Sequence, residues 1–113
     1  MSKIIDVAEV IGSPSALTQE QGEKIYSIIT DSMSREEGVT LDFENVESMI
    51  SPFLNTAIGQ LYGSFSPEII SSYLHVENFP DAKQSTLKIV IDNAKKYYSN
   101  KERYTTTVKD VIG

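Results

Sequence analysis

The 113-residue sequence contains no cysteine, no tryptophan and a single histidine, His75. Without cysteine there can be no disulfide, no thiolate metal ligand and no cysteine nucleophile. Such a composition suits a reducing compartment. Also missing is any apolar run near the ~20 residues that a membrane span requires. The N-terminal "MSKIIDVAEVIG" is short and interrupted by Asp6 and Glu9, unlike a secretion signal. The expectation is a soluble cytoplasmic protein with no membrane partner. The phosphate-cradling patterns GxGxxG and GxxxxGK are absent, and no serine sits in a GxSxG elbow. His75, on a half-exposed strand, reads as a surface residue rather than a catalytic base. No catalytic residue, cofactor or metal site is expected, and the chain reads as non-enzymatic.

Basic residues are scarce over most of the chain. Residues 1–80 carry 3 basic and 12 acidic side chains, a net of −9, whereas residues 81–113 carry 7 and 4, a net of +3. An acidic body argues against nucleic acid as the main partner, because such binding leans on neutralising phosphates. The basic end reads first as a solvated helix face, with a small docking patch as the other reading.

What is present is enough for one core. Hydrophobic residues make up 40% of the chain, and a chain of this size buries roughly 65% of its unfolded surface. Residues 1–113 are therefore read as a single domain. "KIIDVAEV", residues 3–10, is rich in Ile and Val and reads as a strand, broken by Gly12 and Pro14. In "LTQEQGEKIYSIITDSM", Thr18 and Gln21 have capping-box spacing, and Ile25, Ile28, Ile29 and Met33 recur at helical spacing. Gly22 costs that helix about 1 kcal/mol relative to alanine, which points to close packing.

"VTLDFEN" alternates: Val39, Leu41 and Phe43 share one face, Thr40, Asp42 and Glu44 the other. A strand buried on both sides would be apolar throughout, so helices are expected on one face of the sheet only. Phe53, Leu54, Ala57, Ile58, Leu61 and Tyr62 form a helical stripe closed by Gly63. "SFSPEIISS" reads as a short linking helix or turn, and "YLHVENF" as a further strand. Asp81 and Gln84 stand at cap spacing before a helix whose face is Leu87, Val90, Ile91, Ala94 and Tyr98. The tail, residues 99–113, reads as frayed or as a late edge strand. Strand–helix alternation of this kind implies an α/β fold with a small, mostly parallel or mixed sheet.

Two sites compete for function. Asp42, Glu44 and Glu47 cluster near a strand end and could serve a hard cation or a small ligand. Their spacing fits no established metal loop, and solvated strand-end carboxylates are the simpler account. The other candidate is "SMISPFLNTAIGQLYG", residues 48–63, where a serine precedes a proline at the start of a helix. Serine is a preferred N-cap and proline is favoured just after it, so the residues themselves make Ser51 a helix cap worth roughly 1 kcal/mol.

The segment "VTLDFENVESMISPFLNTAIGQL" resembles the STAS domains of bacterial anti-sigma factor antagonists, and more closely the STAS-like group built around a domain of unknown function. Leu41, Asp42 and Phe43 match the strand end, Val46 the apolar plug of the turn, Ser51 the loop serine, and Leu54, Ile58 and Gly59 the helix. "SALTQEQGEKIYSII" is similar to the group's first helix and "LKIVIDNAKKYY" to its last, so the likeness spans most of residues 12–98. It implies a STAS-like fold and a non-enzymatic signalling switch. Its partner would be an ATPase-fold kinase or an anti-sigma-type regulator. Partner choice in such members changes when a loop serine is phosphorylated, since added charge on an interface alters affinity through repulsion and desolvation. Their loop reads Asp-Ser-Ser-Gly. Here the matching residues are Ile50, Ser51, Pro52 and Phe53, so the usual acceptor is replaced by proline and Ser51 matches only its neighbour. Ser51 is thus a cap that could also be a phosphosite, with Ser48 and Thr56 as weaker alternatives. The binding surface implied is the loop and helix of residues 45–62, with Asn45, Glu47, Ser48, Ser51, Asn55 and Thr56 as contact residues. A self-associating structural subunit is the remaining reading.

Overall fold

A computed structural model describes residues 2–112, with side chains described for residues 3–99. It opens with strand β1 (Ser2–Asp6), which passes directly into a short helix, α1 (Val7–Ile11). The strand expected over residues 3–10 therefore ends four residues early. The reason lies in two small signals at its ends. The Asp6 carboxylate accepts from the Glu9 backbone N–H at 3.2 Å, an N-cap bond. Gly12, at φ +72°, turns left-handed and donates its N–H to the carbonyls of Ala8 and Glu9. A cap and a terminator six residues apart outweigh the β preference of Ile and Val.

After the two-residue strand β2 (Ser15–Ala16) comes helix α2 (Gln19–Ser34), and its capping box forms as the spacing predicts. Gln21 N donates to Thr18 Oγ1 at 3.1 Å, while Gln21 Oε1 accepts from the backbone N–H groups of Leu17 and Thr18. Ile25, Ile29 and Met33 face the core. Gly22 is needed for close approach. A methyl there would lie 2.8 Å from the Phe53 carbonyl oxygen and 2.8 Å from Thr56 Cβ.

Strand β3 (Gly38–Asp42) is the centre of a three-stranded parallel sheet, between β1 and β5 (Leu74–Glu77). Paired positions run Ile5–Leu41–Val76 on one face and Ile4–Thr40–His75 on the other. The first face lies under the helices, with Val39 and Leu41 fully buried. On the second, Ile4 is 70% exposed. The second face is the more open one, as the alternation of residues 39–45 anticipates at its edges, where Ile4 and His75 are exposed, but its central Thr40 is buried at 8% exposure. Phe43 closes the end of the sheet, its ring meeting Phe79 edge to face at 4.9 Å.

A second, two-stranded parallel sheet, absent from the sequence reading, pairs β2 with β4 (Ser48–Met49). Helix α3 (Ser51–Ala57) follows at once. The helix expected through Tyr62 breaks at Ile58 and continues as a 3-10 helix, Gly59–Gly63. The short helix α4 (Pro67–Tyr73) takes Ser66 as its N-cap and leads into β5. Asn78, at φ +54°, ends that strand. The long helix α5 (Gln84–Ile112) begins after a 3-10 turn at Asp81–Lys83, which has Pro80 at its own N-cap. The expected Asp81–Gln84 cap is therefore not formed, because Asp81 already lies inside that turn. The tail from residue 99, expected to be frayed or a late edge strand, instead continues α5 as far as Ile112. No helix among the described residues is long and apolar enough to cross a membrane.

One core holds these parts together. Phe53, Leu54, Ala57 and Leu61 from the α3 region meet Ile25 and Ile29 of α2, Val90 of α5 and the covered face of the sheet. Each such large side chain contributes about 1.5–3 kcal/mol on burial. This core fixes α3 and leaves its N-terminus at the surface.

Candidate functional site

The residues around α3 owe their placement to the small β2–β4 sheet. Ile50 N donates to the Ala16 carbonyl at 3.2 Å, which continues the strand pairing one residue past Met49. Ile50 is thereby held extended, at φ −128° and ψ 163°, and becomes the N-cap of α3 with no side-chain capping bond. Ser51 is the first helical residue and Pro52 the second. This corrects the sequence reading: Ser51 does not cap the helix, because strand pairing places the N-cap one residue before it, at Ile50. The Ser51 side chain is exposed.

Alternation along this strand has a further effect. Met49 is buried at 2% exposure, so Ile50 points outward and is 41% exposed. Continued one position past the Ser15–Ser48 and Ala16–Met49 pairs, the parallel register sets Leu17 opposite Ile50. Leu17 is 44% exposed. Both are large apolar side chains exposed at the entry to α3, with Ile50 immediately before Ser51. Sequence reasoning missed this exposure, although a signal existed. Leu17 precedes the N-cap Thr18, where an apolar residue would ordinarily pack against the fourth helical position. That position is Gly22, which has no side chain to receive it.

The other expected contact residues divide. Ser48 and Glu47 are exposed, their backbone N–H groups tied to the Pro14 carbonyl at 3.2 and 2.7 Å. Asn55 is exposed, one helical turn after Ser51. It borders an open groove of about 190 Å³ whose floor is Gly59 and Ala94 and whose far side is Asn93 and Tyr97. Asn45 is exposed but directed elsewhere, donating from Nδ2 to Asp6 Oδ2 at 2.9 Å at the end of the main sheet. There it borders a second open groove, of about 460 Å³, beside Asp6 and Glu9. Thr56 is a correction. It is 6% exposed and packs on Gly22, so it offers no surface for a partner or a modifying enzyme.

The acidic alternative does not assemble. Asp42 Oδ1 accepts from Glu44 N at 2.9 Å and from Asn78 Nδ2 at 3.0 Å. The Asn78 amide, helped by the Glu44 N–H and opposed by slight desolvation, holds the Asp42 carboxyl below its ordinary value of 3.8. Asp42 is thus engaged in closing the strand end. Register sets Asp6, Asp42 and Glu77 side by side across the sheet, but among the described residues no three acidic or histidine side chains gather as a metal site. His75 is exposed, as the strand alternation anticipates.

Comparison with known proteins agrees with this geometry. Neither the curated proteins nor the solved structures gave a match. The family model of the STAS-like domain of unknown function (DUF4325) matches residues 21–84, more than half of the chain. Those residues run from the first turn of α2 through β3, β4, α3 and β5 to the start of α5. They include the Leu41–Phe43 strand end and the Ser51 loop on which the resemblance rests, and the chain belongs to this STAS-like family.

Proposed function

We propose that the chain is a non-enzymatic, regulatory protein-binding module that works through the surface at the start of α3. The observation that carries this reading is the exposure of Leu17 and Ile50, two large apolar side chains more than 40% exposed at the entry to α3. Isolated exposed apolar residues are ordinary, but two set opposite each other by strand register at a family's recognition loop favour contact with another macromolecule. The open groove beside Asn55 suits a broad protein contact better than an enclosed small molecule. By the family likeness, the partner is an ATPase-fold kinase or an anti-sigma-type regulator. Ser51 is exposed and makes no capping bond, so a phosphate there would act directly on the interface.

The test is parallel affinity purification of the tagged wild-type chain and of Leu17→Ser/Ile50→Ser from native cells, with mass spectrometry. A protein retained by the wild type and lost by the double variant is expected, and the recombinant pair should reproduce that difference. Retention that ignores the double substitution, or no retained protein at all, counts against this surface. Phosphopeptide mapping of the native chain tests Ser51 separately.

A further inference from the structure

We propose that the groove between α3 and α5 grips a short, extended and uncharged peptide segment of a partner protein, through the amides of Asn55 and Asn93. This rests on reading the chain as a protein-binding module and names the chemistry it recognises. The groove is open, about 190 Å³, with Gly59 and Ala94 as its floor. Small-molecule pockets run to roughly 300–1,000 Å³ and enclose their ligand. This one suits a single apolar side chain with the peptide groups on either side of it.

The lining has features that the fold does not require. Elsewhere in the described chain, Asn45 and Asn78 donate to the carboxylates of Asp6 and Asp42, at 2.9 and 3.0 Å. Asn55 and Asn93, which border the groove from α3 and α5, make no hydrogen bond among the described residues. Asparagine is a poor residue for a helix interior, so the helices themselves do not call for either. A side-chain amide carries the same donor and acceptor as a peptide group and pairs with one accordingly.

Gly59 is the second such feature. Among the described glycines only Gly12 is left-handed. A methyl at Gly59 would lie 3.7 Å from Asn55 Oδ1, 3.7 Å from Val90 Cγ1 and 3.8 Å from Ala94 Cβ, all ordinary contacts. The fold therefore has room for alanine, the better helix former. What glycine supplies is a bare floor, where another chain can approach the backbone closely. The wall above it is braced. The Tyr98 ring rests on Gly63, where a methyl would come within 2.6 Å of Cε1, and Tyr97 meets Tyr98 edge to face at 4.9 Å. A ring held in place receives an apolar side chain without further ordering.

Charge selects the kind of segment. No charged side chain among the described residues lines this groove, and a charged segment laid in it would lose water without gaining a partner.

Amide NMR of the full-length chain, titrated with the capped tripeptide acetyl-Ala-Leu-Ala-amide, tests this. Saturable shifts are expected at Asn55, Gly59 and Asn93, side-chain amides included, with millimolar affinity for so small a probe. Gly59→Ala should melt no lower than the wild type yet bind roughly tenfold or more weakly, because its methyl occupies the floor. Asn55→Ala/Asn93→Ala alters exposed positions, so it should fold as the wild type and lose a similar factor. No saturable shift, shifts centred elsewhere, or an affinity untouched by both variants overturns the proposal. So does a glucose titration that reproduces the shifts at equal or better affinity, which would make this a sugar site. If a native partner depends on Leu17 and Ile50 while the tripeptide fails to bind, only the groove is lost and the binding surface stands. Tripeptide binding with no retained partner keeps the groove and removes the wider surface.

Discussion

Gly22→Ala tests the contact that positions α3, and with it the candidate surface. The added methyl would sit 2.8 Å from the Phe53 carbonyl oxygen and 2.8 Å from Thr56 Cβ. Carbon atoms rest at about 3.5–4.0 Å, so α2 and α3 would have to part by roughly 0.7 Å. Such overpacking costs about 1–3 kcal/mol. Helix propensity offsets about 1 kcal/mol of this, because alanine is the better helix former. The upper part of the cost range applies here. One obstacle is backbone, and the other is a β-branched side chain 6% exposed with little freedom to swing away. The net expectation is a loss of about 1–2 kcal/mol. Urea melts followed by circular dichroism should show a lower midpoint at unchanged slope, and Tm should fall by about 4–8 °C per kcal/mol. Equal or greater stability would mean that α2 and α3 are not in the contact described, and the placement of α3 would have to be redrawn.

Ser51→Ala should change stability by less than about 0.5 kcal/mol, because Ile50 occupies the N-cap and the hydroxyl makes no capping bond. A loss near 1 kcal/mol in the same melts would restore the capping role that the sequence alone suggests. Ser32→Ala should stabilise the chain by about 1 kcal/mol. The Ser32 hydroxyl is buried without a hydrogen-bond partner among the described residues, and alanine favours the helix. Acid titration should expose Asp42. Its carboxyl is held below 3.8 by the Asn78 amide and the Glu44 N–H, so its contribution is complete above that value and is lost as pH falls through the lower, folded value. Asp42→Asn does not titrate, and its unfolding curve should lack that part of the acid dependence.

Where the sequence was legible, local and long-range signals agreed. Thr18 and Gln21 specify a cap, the residues after them keep helical spacing, and the core accepts the face they define. The alternation of Val39, Leu41 and Phe43 foretold the covered face of the sheet for the same reason. The failures occurred where a long-range partner decided a local outcome. Nothing adjacent to Ser51 reveals that Ile50 will hydrogen-bond to Ala16, 34 positions away. Yet that bond moves the helix start by one residue and turns Ile50 outward. The α1 helix was missed for a different reason. Its residues prefer strands, and a single Asp cap with a single Gly terminator decides the matter in five residues.

That same bond separates what builds the fold from what is available for function. Gly22 seats α3 on one side, Val90 and Ala94 pack on Gly59 of its 3-10 continuation, and the β2–β4 pairing fixes its entry. All three act through backbone or buried side chains. The side chains at the helix start are left free of structural duty, with Ile50 outward, Ser51 unbonded as a cap and Asn55 exposed. A charge added at Ser51 would therefore change the surface while leaving the support of α3 intact, since none of the contacts that seat it passes through that side chain. A regulatory interface needs this separation, because a modification that also destabilised the domain would control abundance instead of binding. Near-neutral stability of Ser51→Ala and a substantial loss for Gly22→Ala, two residues that meet the same helix, are the paired result that this separation requires.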